Sequence, residues 1–117
     1  AVAAPSEISC DIERVAARPA ALWREMLGGE RFGLAEALSR AGHDFDEAAT
    51  RVWTAHECLK KVEAGAGAPL ALSDSSPDGW LLLSSGGRAV ASWSCSLRGG
   101  GQRLALAVLV GGQHARL

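Results

Sequence analysis

The sequence predicts an α+β domain in which one long helix and shorter helices pack on an antiparallel sheet. Three observations predict it: an alternating segment near the start, a middle region with helical periodicity, and three apolar segments divided by glycine-rich turns. A strand, then helices, then a run of neighbouring strands is an order typical of α+β folds. With 117 residues, of which 48% are hydrophobic, the chain is large enough to close one core. We therefore interpret residues 1–117 as a single domain with flexible ends at 1–5 and 112–117.

The first strand is predicted over residues 7–15, where polar and apolar side chains nearly alternate. Successive residues of a strand point to opposite faces of the sheet. One face of this strand is therefore mostly apolar, and the other is mostly acidic. The apolar face holds Ile8, Cys10, Ile12 and Arg14, and the acidic face holds Glu7, Ser9, Asp11, Glu13 and Val15.

Two short helices are predicted next. Pro19 suits a first helical turn, and apolar residues then recur at helical spacing until Gly28 and Gly29 interrupt them. A second short helix is predicted over residues 31–40, because Gly42 follows it as a stop signal.

The longest helix is predicted over residues 45–62. Asp44 is a favourable N-cap, and Glu47 follows three residues later, as in a capping box. One apolar stripe runs along this helix at three- and four-residue spacing. Its members are Phe45, Ala48, Ala49, Val52, His56 and Leu59.

Three strands close the chain, at residues 79–84, 88–97 and 103–110. Glycine-rich segments at 84–87 and 99–101 separate them and are typical of hairpin turns. Neighbouring strands joined by such short turns form an antiparallel meander.

The charge balance excludes several classes of protein. Lys and Arg number 12 against 13 Asp and Glu, a net charge of −1, so neither nucleic acid nor an anionic membrane surface is an expected partner. The longest apolar run, 104–110, is far below the roughly 20 residues that cross a bilayer. Three cysteines without a Cys-x-x-C pair are typical of a reduced, cytoplasmic protein. Because the chain begins without Met or a signal peptide, it is interpreted as part of a longer polypeptide.

Two clusters of residues could carry chemistry. Asp11 and Glu13 project from one strand face and could share Mg²⁺ with a third acid. The alternative for this pair is a solvated strand face with Arg14 and Arg18 nearby.

The second cluster lies on the long helix, where Trp53, Glu57 and Lys61 follow one another at four-residue spacing. The alternative here is an ordinary ion pair between Glu57 and Lys61 on the helix surface. His56 falls on the apolar stripe, where a partly buried histidine without chemistry is common.

Taken together, the two clusters resemble the signature of 4′-phosphopantetheinyl transferases. That signature is a Gly-x-Asp-x-Glu strand followed by a helix with Trp/Phe-x-x-Lys-Glu-x-x-x-Lys. Here residues 10–13 read Cys-Asp-Ile-Glu, and about forty residues later 51–61 read Arg-Val-Trp-Thr-Ala-His-Glu-Cys-Leu-Lys-Lys. The chain is most similar to the transferase-type domain at the C-terminus of enediyne-type iterative polyketide synthases, which also has the Pro-Asp-Gly-Trp turn found at 77–80. The resemblance covers roughly residues 7–110.

The resemblance implies a function and a site. The function is Mg²⁺-dependent transfer of the 4′-phosphopantetheine arm from coenzyme A to a serine of an acyl carrier domain. Asp11, Glu13 and Glu57 match the Mg²⁺ ligands. Lys61 matches the lysine that contacts coenzyme A phosphates and assists the leaving group, and Glu57, or a metal-bound water beside it, is a candidate base. His56 and Arg51 are further candidates for binding coenzyme A.

Two residues depart from the family pattern, and each has a consequence. Cys10 replaces the usual Gly, and His56 replaces the usual Lys, which removes a cation from a polyanion site. Arg51 and Trp53 match positions that support the helix. Family members of this length form trimers or carry a preceding half-domain, so self-association or such a segment is expected. The rival interpretation is a catalytically weak or silent domain that acts as a structural or carrier-docking module.

Overall fold

The computed structural model describes residues 8–62 and 68–112. They form two helices packed on a five-stranded antiparallel sheet, which confirms the α+β class. Of the ends predicted to be flexible, 1–5 and 112–117, all but Gly112 lie outside the described residues, and Gly112 is the last residue of a strand. In chain order the elements are β1 (Cys10–Arg14), α1 (Ala20–Arg40), α2 (Phe45–Lys60), β2 (Ala71–Ser75), β3 (Leu81–Ser85), β4 (Arg88–Ser96) and β5 (Arg103–Gly112).

The two predicted short helices form one element, α1, that is broken at the expected place. Pro19 is the residue just before the helix rather than part of its first turn. Gly28 has φ 79° and ψ 167°, which is not helical and is a conformation open almost only to glycine. The sequence signal for two helices therefore corresponds to a kink within α1.

Helix α2 begins where predicted, because the Asp44 carboxylate accepts a hydrogen bond from the Glu47 N–H at 3.1 Å. It ends at Lys60, two residues earlier than expected. The helix is buried on more than one side, because α1 covers it from one direction and the sheet from another. For that reason polar residues outside the predicted apolar stripe, including Thr50 and Thr54, are also buried.

The sheet has the strand order β1-β5-β4-β3-β2, and all neighbours are antiparallel. The predicted meander is confirmed, and its β3–β4 turn contains Gly86 and Gly87 with φ 54° and 84°. Strand β2, at Ala71–Ser75, is not among the predicted strands. Strand β2 is mostly exposed, so it lacks the apolar pattern that marks a strand.

The core lies between the helices and one face of the sheet. One cluster joins α1 to α2 around Trp23, Leu27 and Val52. A second cluster joins the C-terminal half of α2 to the sheet through residues such as Leu59 and Val90. Helix α2 therefore holds the whole domain together, and its last turn lies against β1 and β5.

Strand β1 alternates as predicted, but its acidic face is the one turned towards α2. Asp11 and Glu13 are half-buried, whereas Ile8 and Ile12 on the opposite face are 90% and 59% exposed. The acidic face is therefore partly covered rather than fully solvated, and the charge of Arg18 acts on Glu13. The solvated side of this strand is its apolar side.

None of the helices in the described part of the chain combines the length and apolar character that a membrane span requires.

Candidate functional site

Ser9, the residue just before β1, makes one hydrogen bond to the end of α2 and one to β5. Its hydroxyl donates to the Cys58 carbonyl at 2.6 Å, and its carbonyl accepts from the Leu109 N–H at 2.9 Å. The residues paired with Asp11 and Glu13 on β5 are Ala107 and Ala105, both fully buried. Small side chains at those positions let α2 approach β5 closely, next to the acids.

Asp11, Glu13 and Glu57 share one electrostatic environment, although about 44 residues separate the strand pair from the helix glutamate. The pKa of Glu13 is raised above its ordinary value, first because of burial and then because its carboxyl group interacts with Asp11. The nearby negative charges of Asp11 and Glu57 raise it further, and Arg18 opposes them. Glu13 is close enough to Asp11 to donate a hydrogen bond to it when protonated. The charges of Asp11 and Glu57 therefore both act on Glu13.

Lys61 reaches this group from the C-terminal end of α2. Its ammonium donates to Asp11 Oδ1 at 2.9 Å and to the Cys10 carbonyl at 2.7 Å. The hydrogen bond with Asp11 raises the pKa of Lys61, so the side chain stays a cation. The expected ion pair between Glu57 and Lys61 is not formed, because Lys61 turns to β1 and Glu57 pairs with Lys60 at 2.9 Å.

Two carboxylate oxygens at this site are buried with no hydrogen-bond donor among the described residues: Asp11 Oδ2 and Glu57 Oε2. The ion pair with Lys60 does reach Glu57 Oε2, but not in a hydrogen-bonding geometry. Buried carboxylate oxygens without donors are costly unless a cation lies nearby.

The donor chemistry of the three acids suits Mg²⁺, which prefers a few carboxylate oxygens together with water and phosphate. As the side chains stand, no three or more His, Cys, Asp or Glu residues within 8–62 and 68–112 have the arrangement that holds a metal ion. The acids fit a Mg²⁺ site by donor type and by the buried Asp11 Oδ2, which has no donor among the described residues, whereas Lys61 contacts the other oxygen of that carboxylate, Oδ1.

His56 lies one residue before Glu57 and faces cations from two elements. Burial lowers its pKa first, and the positive charges of Arg31 and Lys60 lower it further, while Glu57 opposes them. The imidazole is therefore neutral at pH 7. Its ring lies 6.2 Å from that of Trp53, centroid to centroid.

Arg51 is placed away from this group, and it is only 2% exposed. Its guanidinium donates to the Ser92 hydroxyl at 2.9 Å, to the Ser92 carbonyl at 2.6 Å and to the Gly79 carbonyl at 2.9 Å. In this position Arg51 cannot reach a ligand in solvent, so the structure assigns it to support of the helix rather than to coenzyme A. Arg51 and the 77–80 turn, two separate parts of the resemblance, are thus joined by a hydrogen bond.

Sequence reasoning missed three contributors to the site. Ser9 was seen only as a member of the acidic face, although it ties β1 to α2. Lys60 has no role in the predicted site, although it forms the ion pair with Glu57. Arg31 belongs to no motif of the sequence, and it contributes through its charge, which acts on His56.

Comparison of the chain with protein-family models, with curated proteins and with solved structures finds no match.

Proposed function

We propose that this domain transfers the 4′-phosphopantetheine arm of coenzyme A to a serine of an acyl carrier domain in a Mg²⁺-dependent reaction. One observation carries the proposal: Lys61 lies 2.9 Å from Asp11, with Glu13 and Glu57 in the same electrostatic group. A pair of acids on a strand and a glutamate and lysine on a helix are common separately. Here both groups contribute to one site, in the arrangement that the 4′-phosphopantetheinyl transferase signature implies. This combination supports a transferase of that superfamily with the fold of that superfamily.

Asp11, Glu13 and Glu57 are the residues that would hold Mg²⁺. When bound, the ion neutralises charge that builds on the pyrophosphate oxygens as the bond to the leaving group breaks. Asp11 Oδ2, which is buried without a donor among the described residues, favours a cation at this position, whereas Glu57 Oε2 already has the Lys60 ammonium 2.9 Å away.

The carrier serine oxygen forms a bond to the phosphorus that bears the pantetheine arm. The bond from that phosphorus to the bridging pyrophosphate oxygen breaks, and 3′,5′-ADP leaves. In this scheme Glu57 accepts the serine proton, and the Lys61 ammonium stabilises the negative charge on the departing phosphate. Lys61 is suited to this because it is half-exposed and remains charged.

Cations beside the acids support a polyanionic substrate. Arg31 and Lys60 both act on His56, and Lys61 lies one residue further along. Phosphate groups of coenzyme A could be bound by these cations while the acids hold the metal. His56 itself is neutral and contributes less than the usual lysine would.

The parent molecule and its assembly belong to the same proposal. We assign the acceptor to a carrier domain of the polyketide synthase that contains this domain, in the cytoplasm. The apolar outer face of β1, with Ile8 and Ile12 exposed, supports contact with further copies or with a preceding half-domain.

The test is to incubate the domain with Mg²⁺, coenzyme A and an apo carrier protein. The molecular mass of the carrier is then measured by mass spectrometry. The proposal expects the mass increase of one phosphopantetheine arm. Glu57→Gln should abolish the increase, whereas Glu36→Gln, which removes one charge from an exposed position on α1, should not. An unmodified carrier in an assembled, metal-loaded sample would exclude the transferase.

A second candidate is a silent transferase-like domain that serves as a docking module for a carrier. It is favoured by the contact of Lys61 with Asp11, which occupies a metal-ligand oxygen, and by His56 in place of lysine. Binding of apo and holo carrier with equal affinity and no transfer would support this candidate.

A further inference from the structure

Both lysines of the chain, Lys60 and Lys61, neutralise the acidic site. They are the only lysines in the sequence. Lys60 lies 2.9 Å from Glu57 Oε2, and Lys61 lies 2.9 Å from Asp11 Oδ1. Two ammonium groups provide a charge of +2 to three acids, which is the charge that one divalent cation would provide.

The contact made by Lys61 goes beyond a surface ion pair. The side chain is 53% exposed, yet its ammonium has two acceptors on β1, Asp11 Oδ1 and the Cys10 carbonyl. The ammonium group of such an exposed side chain could remain in water at little cost in free energy. Its return to β1 therefore reflects the attraction of the acids, among which Asp11 has a second, buried oxygen, Oδ2, with no donor among the described residues.

We infer that Lys61 is a built-in substitute cation, a lysine latch that holds β1 to α2 until a divalent ion displaces it. The latch is defined as Lys61 with its two contacts on β1. The inference rests on the proposed function only in taking Asp11, Glu13 and Glu57 as metal ligands. It adds that lysine and metal compete for the same carboxylate.

Displacement has a consequence for the order of binding. Once the metal takes Asp11, the Lys61 ammonium is released towards solvent, where the phosphates of coenzyme A would lie. A metal-free domain therefore has its phosphate-binding lysine engaged elsewhere. Metal loading and polyanion binding then favour each other, and by linkage each must strengthen the other equally.

The latch makes a prediction that does not involve catalysis. Binding of Mn²⁺ to the whole chain, without coenzyme A, is measured by the loss of the free-ion signal in electron paramagnetic resonance. Lys61→Met removes the competitor and should tighten Mn²⁺ binding by about fivefold or more, the range set by a half-exposed ion pair and one unit of charge. Lys61→Arg keeps a cation that can bind Asp11, so it should bind Mn²⁺ no tighter than the wild-type chain.

The matched control is Arg98→Met, which removes one positive charge from the exposed turn between β4 and β5. It should change Mn²⁺ affinity by less than about twofold, because water and salt screen the charge of an exposed side chain. Lys61→Met binding Mn²⁺ no tighter than this control, or no variant binding Mn²⁺, would overturn the latch. Tightening in the predicted order without any phosphopantetheine transfer would remove the proposed function and leave the latch. Phosphopantetheine transfer together with an unchanged Mn²⁺ affinity of Lys61→Met would remove the latch and leave the proposed function.

Discussion

Substitution of Lys61 should slow the proposed reaction without unfolding the domain. The side chain is exposed and makes its contacts at the edge of the sheet, so Lys61→Ala should leave the fold intact. Loss of a preorganised charge at the leaving group commonly costs about 10²-fold or more in rate. We therefore expect phosphopantetheine transfer, followed by carrier mass against time, to fall by that factor. Full activity of Lys61→Ala would exclude its role at the leaving group.

His56 is the residue to change for a gain of function. Its lowered pKa makes it neutral at pH 7, so His56→Lys adds a cation beside the substrate phosphates. Coenzyme A should bind more tightly and transfer should be faster, as measured by calorimetry and by the carrier assay. His56→Gln, which stays neutral, is the control. If His56→Lys and the parent are both inert in a fully assembled sample, the docking-module candidate is to be preferred.

Arg51 is a residue whose loss should destabilise the domain. Arg51→Met leaves the buried Ser92 carbonyl and the partly buried Gly79 carbonyl without the donor that they have in the wild-type chain. The expected cost is about 2–4 kcal/mol in the free energy of unfolding, measured with urea. Arg98→Met in the exposed turn should cost almost nothing. If Arg51→Met left the stability unchanged but weakened coenzyme A binding, Arg51 would have to be assigned to ligand binding instead.

Glu13 gives the site a dependence on pH. Its pKa is higher in the folded state than the ordinary 4.5, so the folded domain holds this proton more tightly than the unfolded chain. This contribution to stability is complete below pH 4.5 and is lost as the pH rises through the folded pKa. Glu13→Gln in metal-free buffer should therefore raise the unfolding temperature slightly at pH 7 and give no gain below pH 4.5. A gain that is the same at both pH values would contradict this assignment.

At the scale of elements, the kink of α1 is the clearest case of local sequence that determines shape. Gly28 has φ 79° and ψ 167°, whereas Gly29 is helical, and an added Cβ on Gly29 would meet nothing within 4 Å. Gly28→Ala should cost about 1–3 kcal/mol, and Gly29→Ala should be neutral or stabilising by up to about 1 kcal/mol. Thermal unfolding of both variants gives the comparison. Equal effects would mean that the kink is not set by Gly28.

The same scale shows what sequence can predict. The cap at Asp44, the break at Gly28 and the Gly86–Gly87 turn were predictable because each depends on a few neighbouring residues. Strand β2 was not, because its residues are mostly exposed and carry no apolar period. The orientation of β1 was also unpredictable, because alternation defines two faces without saying which one meets the helix. Contacts between residues distant in sequence, such as that of Lys61 with Asp11, determine which face of β1 meets the helix.

At the scale of the whole molecule, helices cover one face of the sheet, and the other face is open as far as residues 8–62 and 68–112 are concerned. Exposed apolar residues on β1 and β5 lie on the open face, among them Ile12 at 59% and Val110 at 45% exposure. A cavity of about 420 Å³ on the same face is lined by Trp80, Ala91 and Val108 among others. Trp80 stacks on Trp93 there, with ring centroids 5.6 Å apart. An open apolar face of this kind favours association with another domain or copy.

Self-association should therefore depend on the open face. Sedimentation of the wild-type chain should show mass that rises with concentration, and Ile12→Asp should shift it towards the monomer. Leu22→Asp, at an exposed apolar residue of α1, is the control and should have no effect. A compact monomer at all concentrations that still transfers phosphopantetheine would contradict the need for assembly.

The central claim is that acids from β1 and α2 form one cation site used with coenzyme A. The most direct measurement is an anomalous difference map from crystals grown with Mn²⁺ and coenzyme A. We predict a single strong peak in contact with carboxylate oxygens of Asp11, Glu13 and Glu57 and with a phosphate oxygen, with Lys61 turned away from Asp11 towards the ligand. Coenzyme A bound elsewhere, or no peak between β1 and α2 while Lys61 remains on Asp11, would contradict the account.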